Sequence, residues 1–261
     1  MEFTAAASVA SRLERASSSP STNAELRERA ADAVGWPHLS VLLTDDQTAG
    51  RGRLDRQWVT PAGSALAVSV LLRDLPESAD ARGWIPLAAG VAMADAIATQ
   101  LPGRRVGVKW PNDVLVEGRK ICGILAEAAG DAVIVGSGVN TAMTAEQLPV
   151  ETATSFAVHG VQADLDRLLA DYLGRLDALI AGLRRHGGAM ASGLHRDATA
   201  RCVTLGEEVV VWLPGGERMP GTATRLEADG RLVVARGDGG VRTVAAGDVV
   251  HVRPAGSAQS V

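Results

Sequence analysis

Residues 106–109, 114–116, 121–127 and 132–135 are short apolar runs, and Glu117-Gly118 and Gly130-Asp131 between the later ones leave room only for tight reversals. The spacing predicts a meandering sheet. Residues 39–44 read as a buried strand, and a further strand pair is expected around 64–72. Two apolar-periodic helices are expected. One is the alanine-rich segment 79–101, with Ile85, Leu87, Ala88, Val91, Met93 and Ile97, ended by Pro102-Gly103. The other is 164–185, where Leu165, Leu168, Leu169, Leu173, Leu176, Leu179, Ile180 and Leu183 share helical spacing, Asp164 is the N-cap and Gly187-Gly188 the stop. A shorter helix is predicted to open at Thr22, where Thr22 and Glu25 have capping-box spacing ahead of Leu26, Ala30 and Val34.

The texture changes after Cys202. Runs at 209–213, 222–227, 232–235, 241–244 and 249–252, separated by Pro214-Gly215-Gly216, Asp229-Gly230 and Asp238-Gly239-Gly240, predict a small β-barrel of its own. Lys plus Arg number 26 against 30 Asp plus Glu, a formal charge of −4, so there is no global positive field to hold nucleic acid or an anionic membrane. Cys122 and Cys202 have no metal-ligand spacing and are expected as core thiols in a reducing, cytoplasmic compartment. No signal-peptide or transmembrane pattern is expected from the sequence. His38, His159, His186, His195 and His251 suggest neither a triad nor a metal site.

Three constellations carry chemistry. The first, Gly50-Arg51-Gly52-Arg53-Leu54-Asp55-Arg56-Gln57-Trp58, lies in a polar loop at 45–57 between core strands. Its glycines let backbone approach a ligand, and its arginines offer forked donors that match carboxylate and phosphate oxygens. Taken alone it is also an ordinary solvated basic turn; mutual repulsion predicts a loop that is mobile when empty and closes over an anion. The second, Lys109-Trp110-Pro111-Asn112-Asp113, combines a rigid Trp-Pro bend with oxygen ligands for a hard cation or a lysine, a simple turn being the alternative; Arg119-Lys120 follow on a strand after a turn. The third, Gly136-Ser137-Gly138-Val139-Asn140, follows an apolar strand and suits a nucleotide, with Asn140 toward phosphate or metal-bound water. No GxxxxGK[ST] is present, so a P-loop is excluded.

In this order, and preceded by Ser21-Thr22-Asn23, the motifs GRGRxxRxW, KWPND, RKxxGIL and GxGxN resemble the biotin protein ligases from about Ser21 to the C-terminus. The resemblance implies an α+β catalytic domain, residues 1–203, with a mixed β-sheet and packed helices like class II synthetases and lipoate ligases, followed by an SH3-like barrel, residues 204–261. Only about twenty residues precede Ser21, fewer than the roughly 40 an unstapled domain needs. The expected form therefore lacks the winged-helix DNA-binding domain of some relatives, and DNA is not an expected partner.

The implied reaction joins biotin to ATP as biotinyl-5′-AMP with release of pyrophosphate, then passes biotin to a lysine of a biotin carboxyl carrier domain. Pressing a carboxylate against a polyphosphate requires cations, and the resemblance assigns Arg51, Arg53, Arg56, Lys120 and Mg²⁺ to that task, Lys120 bridging carboxylate and α-phosphate. Asp113 is the implied base or orienting group for the acceptor amine, ordinarily of pKa about 10.4. Ser21, Thr22, Asn23 and Gln47 match the ureido-binding positions, with Arg51 closing over the ligand. Trp58, Leu66, Ile124 and Leu125 are candidates for the apolar slot, Trp58 also for the adenine side or a loop anchor. Gly50, Gly52, Lys109, Asn112, Gly123, Gly138 and Asn140 complete the expected ligand set, Asn112 and Asn140 also toward Mg²⁺, with Arg196 and Arg242 possible nucleotide contacts. Some members pair edge to edge through their sheets, so a homodimer is a further expectation. The rivals are a lipoate or octanoate ligase, whose RRxSGGGxVYHD is absent, and a non-catalytic sensor of biotinyl-adenylate.

Overall fold

The computed structural model describes residues 2–53, 56–58, 60–213 and 217–245, and the backbone of residues 251–254. The chain opens with α1 (Thr4–Val9) and β1 (Arg12–Arg15), then α2 (Thr22–Arg29), β2 (Ser40–Thr44), the two-residue strands β3 (Gly50–Arg51) and β4 (Gln57–Trp58), and β5 (Ala65–Leu72). Helices α3 (Ala79–Gly83) and α4 (Ile85–Gln100) lead to β6 (Val106–Lys109), β7 (Asp113–Val116), β8 (Arg119–Ala129) and β9 (Ala132–Asn140). Helices α5 (Leu165–His186), α6 (Ala189–Ser192) and α7 (Leu194–Arg201) close this part.

The seven-stranded sheet has the order β1-β2-β5-β9-β8-β7-β6. Only the β1–β2 pair is parallel, so the sheet is mixed and the segment from β6 to β9 is the expected meander. Strand alternation divides it into two unlike faces. Leu66, Val68, Val70 and Leu72 of β5 join the large core with α4 and α5, whereas Leu71 packs with Leu26 of α2, Leu42 and Ile134 on the opposite face. Helix α5 is capped by Asp164, whose side chain accepts from the Arg167 amide, and stopped by Gly187 in the left-handed region, as its sequence specifies.

Several expectations change. Residues 64–72 form one fully buried strand rather than a pair. The segment 79–101 is two helices, because the chain reorients at Trp84 and restarts with Pro86 in the first turn, where its missing N–H is not needed. The cap of α2 is Ser21, whose side chain accepts from the Ala24 amide, in place of Thr22; Glu25 accepts from Ser19, and Val34 lies beyond the helix, 94% exposed. The Gly136-to-Asn140 motif is part of β9 rather than a loop after it.

The C-terminal part is a five-stranded antiparallel sheet of β10 (Glu208–Trp212), β11 (Arg218–Leu226), β12 (Leu232–Ala235), β13 (Val241–Val244) and β14 (His251–Pro254), in the order β13-β12-β11-β10-β14. It matches the expected small SH3-like barrel. The last strand lies later than the 249–252 run; residues 249 and 250, like Leu54, Asp55 and Pro214-Gly215-Gly216, are outside the described residues. Among the described residues no helix is long and apolar enough to cross a membrane.

Candidate functional site

A cleft of about 200 Å³ opens on the α2 face of the large sheet. Its floor follows from the register. Gly138 pairs with Ala67 on one side and Gly123 on the other, so that cleft-facing row is built from small residues, while Gly136 lies between Ser69 and the larger Leu125. The smallness is obligatory at two places. A Cβ on Gly138 would lie 2.7 Å from the indole of Trp58, and one on Gly136 would lie 2.4 Å from the Asn23 amide oxygen.

One wall is a buried polar network at the start of α2. The Thr22 amide and hydroxyl both donate to Gln47 Oε1, at 2.9 and 3.1 Å. Ser69 Oγ lies 2.7 Å from Thr22 Oγ1 and 2.6 Å from Asn23 Oδ1. Asn23 Nδ2 donates to Glu127 Oε2 at 2.7 Å and to the Leu125 carbonyl at 3.3 Å. Both amide hydrogens and the oxygen of Asn23 are thus engaged within the protein, so Asn23 braces the wall. Ser69 and Glu127 were missed by sequence reasoning: a serine inside an apolar strand and a glutamate at the end of another carry no motif, and only the period-2 alternation of β5 and β8 puts them on this face.

The opposite wall carries the charges. Lys120 Nζ lies 2.7 Å from Asp113 Oδ1, with the lysine side chain 42% and the aspartate 23% exposed. This pairing depends on a β-bulge. Val114 pairs with Cys122, but Leu115 pairs with Lys120, leaving Ile121 as the extra residue. Ile121 and Cys122 both enter the helix-side core, and Lys120 is returned to the face of Gly123 and Asp113. Strict alternation would put Lys120 on the same face as Cys122. Burial pushes the Cys122 thiol up to about 12, with Lys120 pulling it down and Asp113 raising it, so it is an inert core thiol; Cys202 is also buried and raised.

The arginine segment is a small β3–β4 hairpin, with Gly50 opposite Trp58 and Arg51 opposite Gln57. The polar loop therefore has internal structure, and Gly52 N donates to the Arg56 carbonyl across it. Arg53 reaches across the cleft to Asn112 Oδ1 at 3.2 Å, while Asn112 Nδ2 donates to the Ile124 carbonyl at 2.9 Å. Burial lowers the Arg53 pKa, Asp113 raises it and nearby Arg56 lowers it. The guanidinium remains a cation at neutral pH.

The cleft brings together Ser21, Thr22, Asn23, Gln47, Arg51, Gly52, Arg53, Arg56, Trp58, Lys109, Asn112, Asp113, Lys120, Gly123, Ile124, Leu125 and Gly138, and adds Gln57, Ala67, Val68, Trp110, Pro111, Gly136 and Ser137. Gly50 is not among its lining residues; it is buried in the hairpin. Leu66 is on the other face of β5, in the core with α4 and α5, so alternation removes it from the apolar slot. Asn140 is buried off the cleft and donates to the Thr154 carbonyl at 2.9 Å. Arg196 is paired with Asp197 and Arg242 lies 3.6 Å from Glu217, both away from the lining.

The donor set also tests the magnesium expectation. Among the described residues no group of three or more His, Cys, Asp or Glu side chains is placed to hold a metal. Asp113 is already paired with Lys120, and the Asn112 oxygen with Arg53. These residues do not make a protein cage. They fit a magnesium ion that arrives on a triphosphate and keeps most of its ligands from phosphate and water, the usual habit of that ion.

Comparison with known proteins bears on the same cleft. A profile described as "Biotin/lipoate A/B protein ligase family" matches residues 15–140, the stretch that contains all of its lining. The chain is 41% identical over 238 residues to a "Biotin--[acetyl-CoA-carboxylase] ligase" of Mycobacterium tuberculosis, covering 89% of this chain and 86% of the relative. The chain belongs to the biotin protein ligase family. A second biotin ligase of this kind, from Paracoccus denitrificans, is 33% identical over 239 residues, covering 88% of this chain and 96% of the relative. The biotin protein ligase of Aquifex aeolicus, solved in complex with biotin and ATP, superposes with a TM-score of 0.77 at 25% identity, covering 94% of this chain and all of that one. The family's catalytic sheet and C-terminal domain are thus both represented in this chain.

Proposed function

We propose that the protein ligates biotin to a carboxylase: it activates biotin with ATP as biotinyl-5′-AMP and transfers the biotinyl group to a lysine of a biotin carboxyl carrier domain. The observation that carries this reading is one cleft with a neutral polar wall at Ser21, Thr22 and Gln47 and a charged wall at Arg53, Lys120 and Asp113. A ureido ring is neutral and polar and suits the first wall; a carboxylate meeting an α-phosphate needs the second. The ligands named for the Aquifex aeolicus structure, biotin and ATP, are those two chemistries.

In the first step a biotin carboxylate oxygen attacks the α-phosphorus and pyrophosphate leaves. Arg51, Arg53, Arg56 and Lys120 neutralise the approach, with Lys120 placed between the two anions. Lys120 is the more exposed partner of its ion pair, so its ammonium is free to turn from Asp113 toward a phosphate without being pulled out of a buried contact. Magnesium carried by the triphosphate would supply further charge neutralisation, and Asn112 would be the side chain to meet it. In the second step the acceptor amine attacks the acyl carbon and AMP leaves. Asp113 then orients the amine and takes its proton, while Trp58 and the arginine hairpin exclude water from the mixed anhydride.

We place the domain boundary between residues 203 and 204 and the protein in the cytoplasm, a setting that suits two buried free thiols. Self-association, where it occurs, uses the outer part of β8: β7 pairs with β8 only from Arg119 to Gly123, so among the described residues 124–129 have no strand on that side. The test is biotin- and MgATP-dependent pyrophosphate release, with transfer of labelled biotin to a purified carrier domain and lipoate as the control acid. Transfer with biotin alone supports the ligase. Equal use of lipoate favours the lipoate-ligase reading, and adenylate formed without transfer favours a sensor.

A further inference from the structure

Lys120 sits where the large sheet gives its backbone little support. The pairing of β9 with β8 begins at Cys122, so Lys120 lies past the end of that ladder, and on the β7 side the bulge at Ile121 interrupts the register. Its backbone groups are satisfied from another segment. The chain beyond β9 returns parallel to the start of β8, with Ala153 opposite Lys120. The Lys120 amide donates to the Thr152 carbonyl at 2.7 Å, and the Lys120 carbonyl accepts from the Thr154 amide at 2.8 Å.

Thr154 is the node of this arrangement. It is fully buried, and each of its three polar groups has a different partner. Its amide donates to Lys120, its carbonyl accepts from Asn140 Nδ2 at 2.9 Å, and its hydroxyl shares a hydrogen bond of 3.1 Å with His159 Nε2. Asn140 ends β9, and His159 is set by a single 3-10 turn, Ala157–His159, that follows the buried Phe156 and stops at Gly160 in the left-handed region. We propose that Thr154, clamped between Asn140 and His159, is a positioning residue that fixes where Lys120 projects into the cleft. The inference rests on the ligase reading, in which Lys120 meets both anions. Asn140 thereby acts one step removed from the ligand, through the strap rather than by contact. Buried backbone groups demand partners, so Lys120 and residues 152–154 move together, and a side chain that must sit between carboxylate and phosphate suffers most from a small shift of its own backbone. Thr22 and Gln47 are bonded to each other and, among the described residues, make no hydrogen bond to residues 152–159, so biotin recognition is left alone.

The test uses the full-length protein and cuts the hydroxyl bond from either end. Thr154→Val keeps the volume and the backbone amide but removes the hydroxyl, Thr154→Ser restores it, and His159→Ala removes the other partner at a half-buried site that the fold tolerates more readily. In biotin-dependent pyrophosphate release, Thr154→Val and His159→Ala are each expected to lower kcat roughly tenfold, and the double variant to fall no further than either, because both remove one bond. The biotin dissociation constant, measured by calorimetry without ATP, stays within about twofold of the parent, and Thr154→Ser recovers kcat. A general loosening of the fold would instead weaken biotin binding along with turnover. The proposal is overturned by a His159→Ala protein that turns over like the parent, by Thr154→Val and Thr154→Ser that cannot be told apart, by losses that add in the double variant, or by biotin affinity that falls in step with kcat. Absence of biotin-dependent pyrophosphate release in the parent protein would instead overturn the ligase reading.

Discussion

Replacing Gly136 with alanine tests the floor of the cleft directly. The added Cβ would stand 2.4 Å from Asn23 Oδ1 and 2.9 Å from Asn23 Cγ and Nδ2. Ordinary contact requires the amide to withdraw by about 1 Å. Withdrawal strains or breaks the bonds from Ser69 to Asn23 and from Asn23 to Glu127 and the Leu125 carbonyl. Overpacking of this kind costs roughly 1–3 kcal/mol, and each neutral hydrogen bond lost adds about 1 kcal/mol, with the bond to a carboxylate worth somewhat more. Allowing for partial relaxation, a loss of about 2–4 kcal/mol in unfolding free energy is expected. Because the same movement displaces Thr22 and Ser21, biotin affinity should fall by about 10- to 100-fold, corresponding to roughly 1.4–2.8 kcal/mol. Urea unfolding and calorimetric titration with biotin measure the two quantities. Gly174→Ala is the control: Gly174 is exposed in α5 with nothing near its would-be Cβ, so alanine there should stabilise by about 0.5–1 kcal/mol without touching the ligand. A Gly136→Ala protein with unchanged biotin affinity would refute the view that Asn23 transmits packing on the sheet to the polar wall.

Lys120→Met should abolish biotin-dependent pyrophosphate release, by at least about 100-fold, while changing stability by no more than about 1 kcal/mol, because its pair with Asp113 is partly exposed; retained release removes Lys120 from the chemistry. Asp113→Asn should leave adenylate formation within a few-fold and slow transfer to the carrier lysine, read by single-turnover transfer from preformed adenylate, whereas equal loss of both steps would make Asp113 a brace. Cys122 should resist iodoacetamide at pH 8 in the native protein and react once unfolded. Its thiol is neutral in the fold up to about 12 but ionises near its ordinary value of 9.0 when unfolded, so its contribution is complete below that value and is lost as pH rises; Cys122→Ala should flatten the alkaline limb of the stability profile. His159 works in the opposite direction. Burial, Arg104 and Arg119 lower its pKa against the smaller pull of Glu117, so its contribution is present above its ordinary value of 6.5 and is lost as pH falls, and His159→Gln should reduce the acid sensitivity.

Much of this was legible in order but not in place. Helix α5 was readable to its caps because eight apolar residues, an aspartate and a glycine all agree, and the antiparallel strands of the meander were readable because their turns are short. Lys120 was readable as a strand charge after a turn, but its face was not: the sequence Lys120-Ile121-Cys122-Gly123 alternates wrongly, and only the bulge opposite Val114 and Leu115 corrects it. Thr22 and Glu25 had the spacing of a cap, yet Ser21 one residue earlier took the role, since a run of serines offers several near-equivalent acceptors. Asn140 carried a motif but is turned onto Thr154, and Leu66 was misplaced because a strand of unbroken apolar residues gives no sign of which alternate set faces the ligand. Ser69 and Glu127 required the register of three strands at once.

The register also explains how one sheet can both stabilise the fold and hold an open cleft. On the helix face, the row Leu66, Val139, Cys122 crosses β5, β9 and β8 as a continuous apolar band in the core against α4 and α5. One residue along on each strand, the cleft face reads Ala67, Gly138, Gly123, with no side chain larger than a methyl group. Filling that second row would add buried area but occupy the volume where the ligand and Trp58 belong. The sheet therefore concentrates its packing on one face, and the opposite face is held by polar bonds at Thr22, Asn23 and Gln47, by the cluster of Leu26, Leu42 and Ile134, and by the paired charges at Lys120 and Asp113. Period-2 alternation is what lets the two demands coexist within the same three strands.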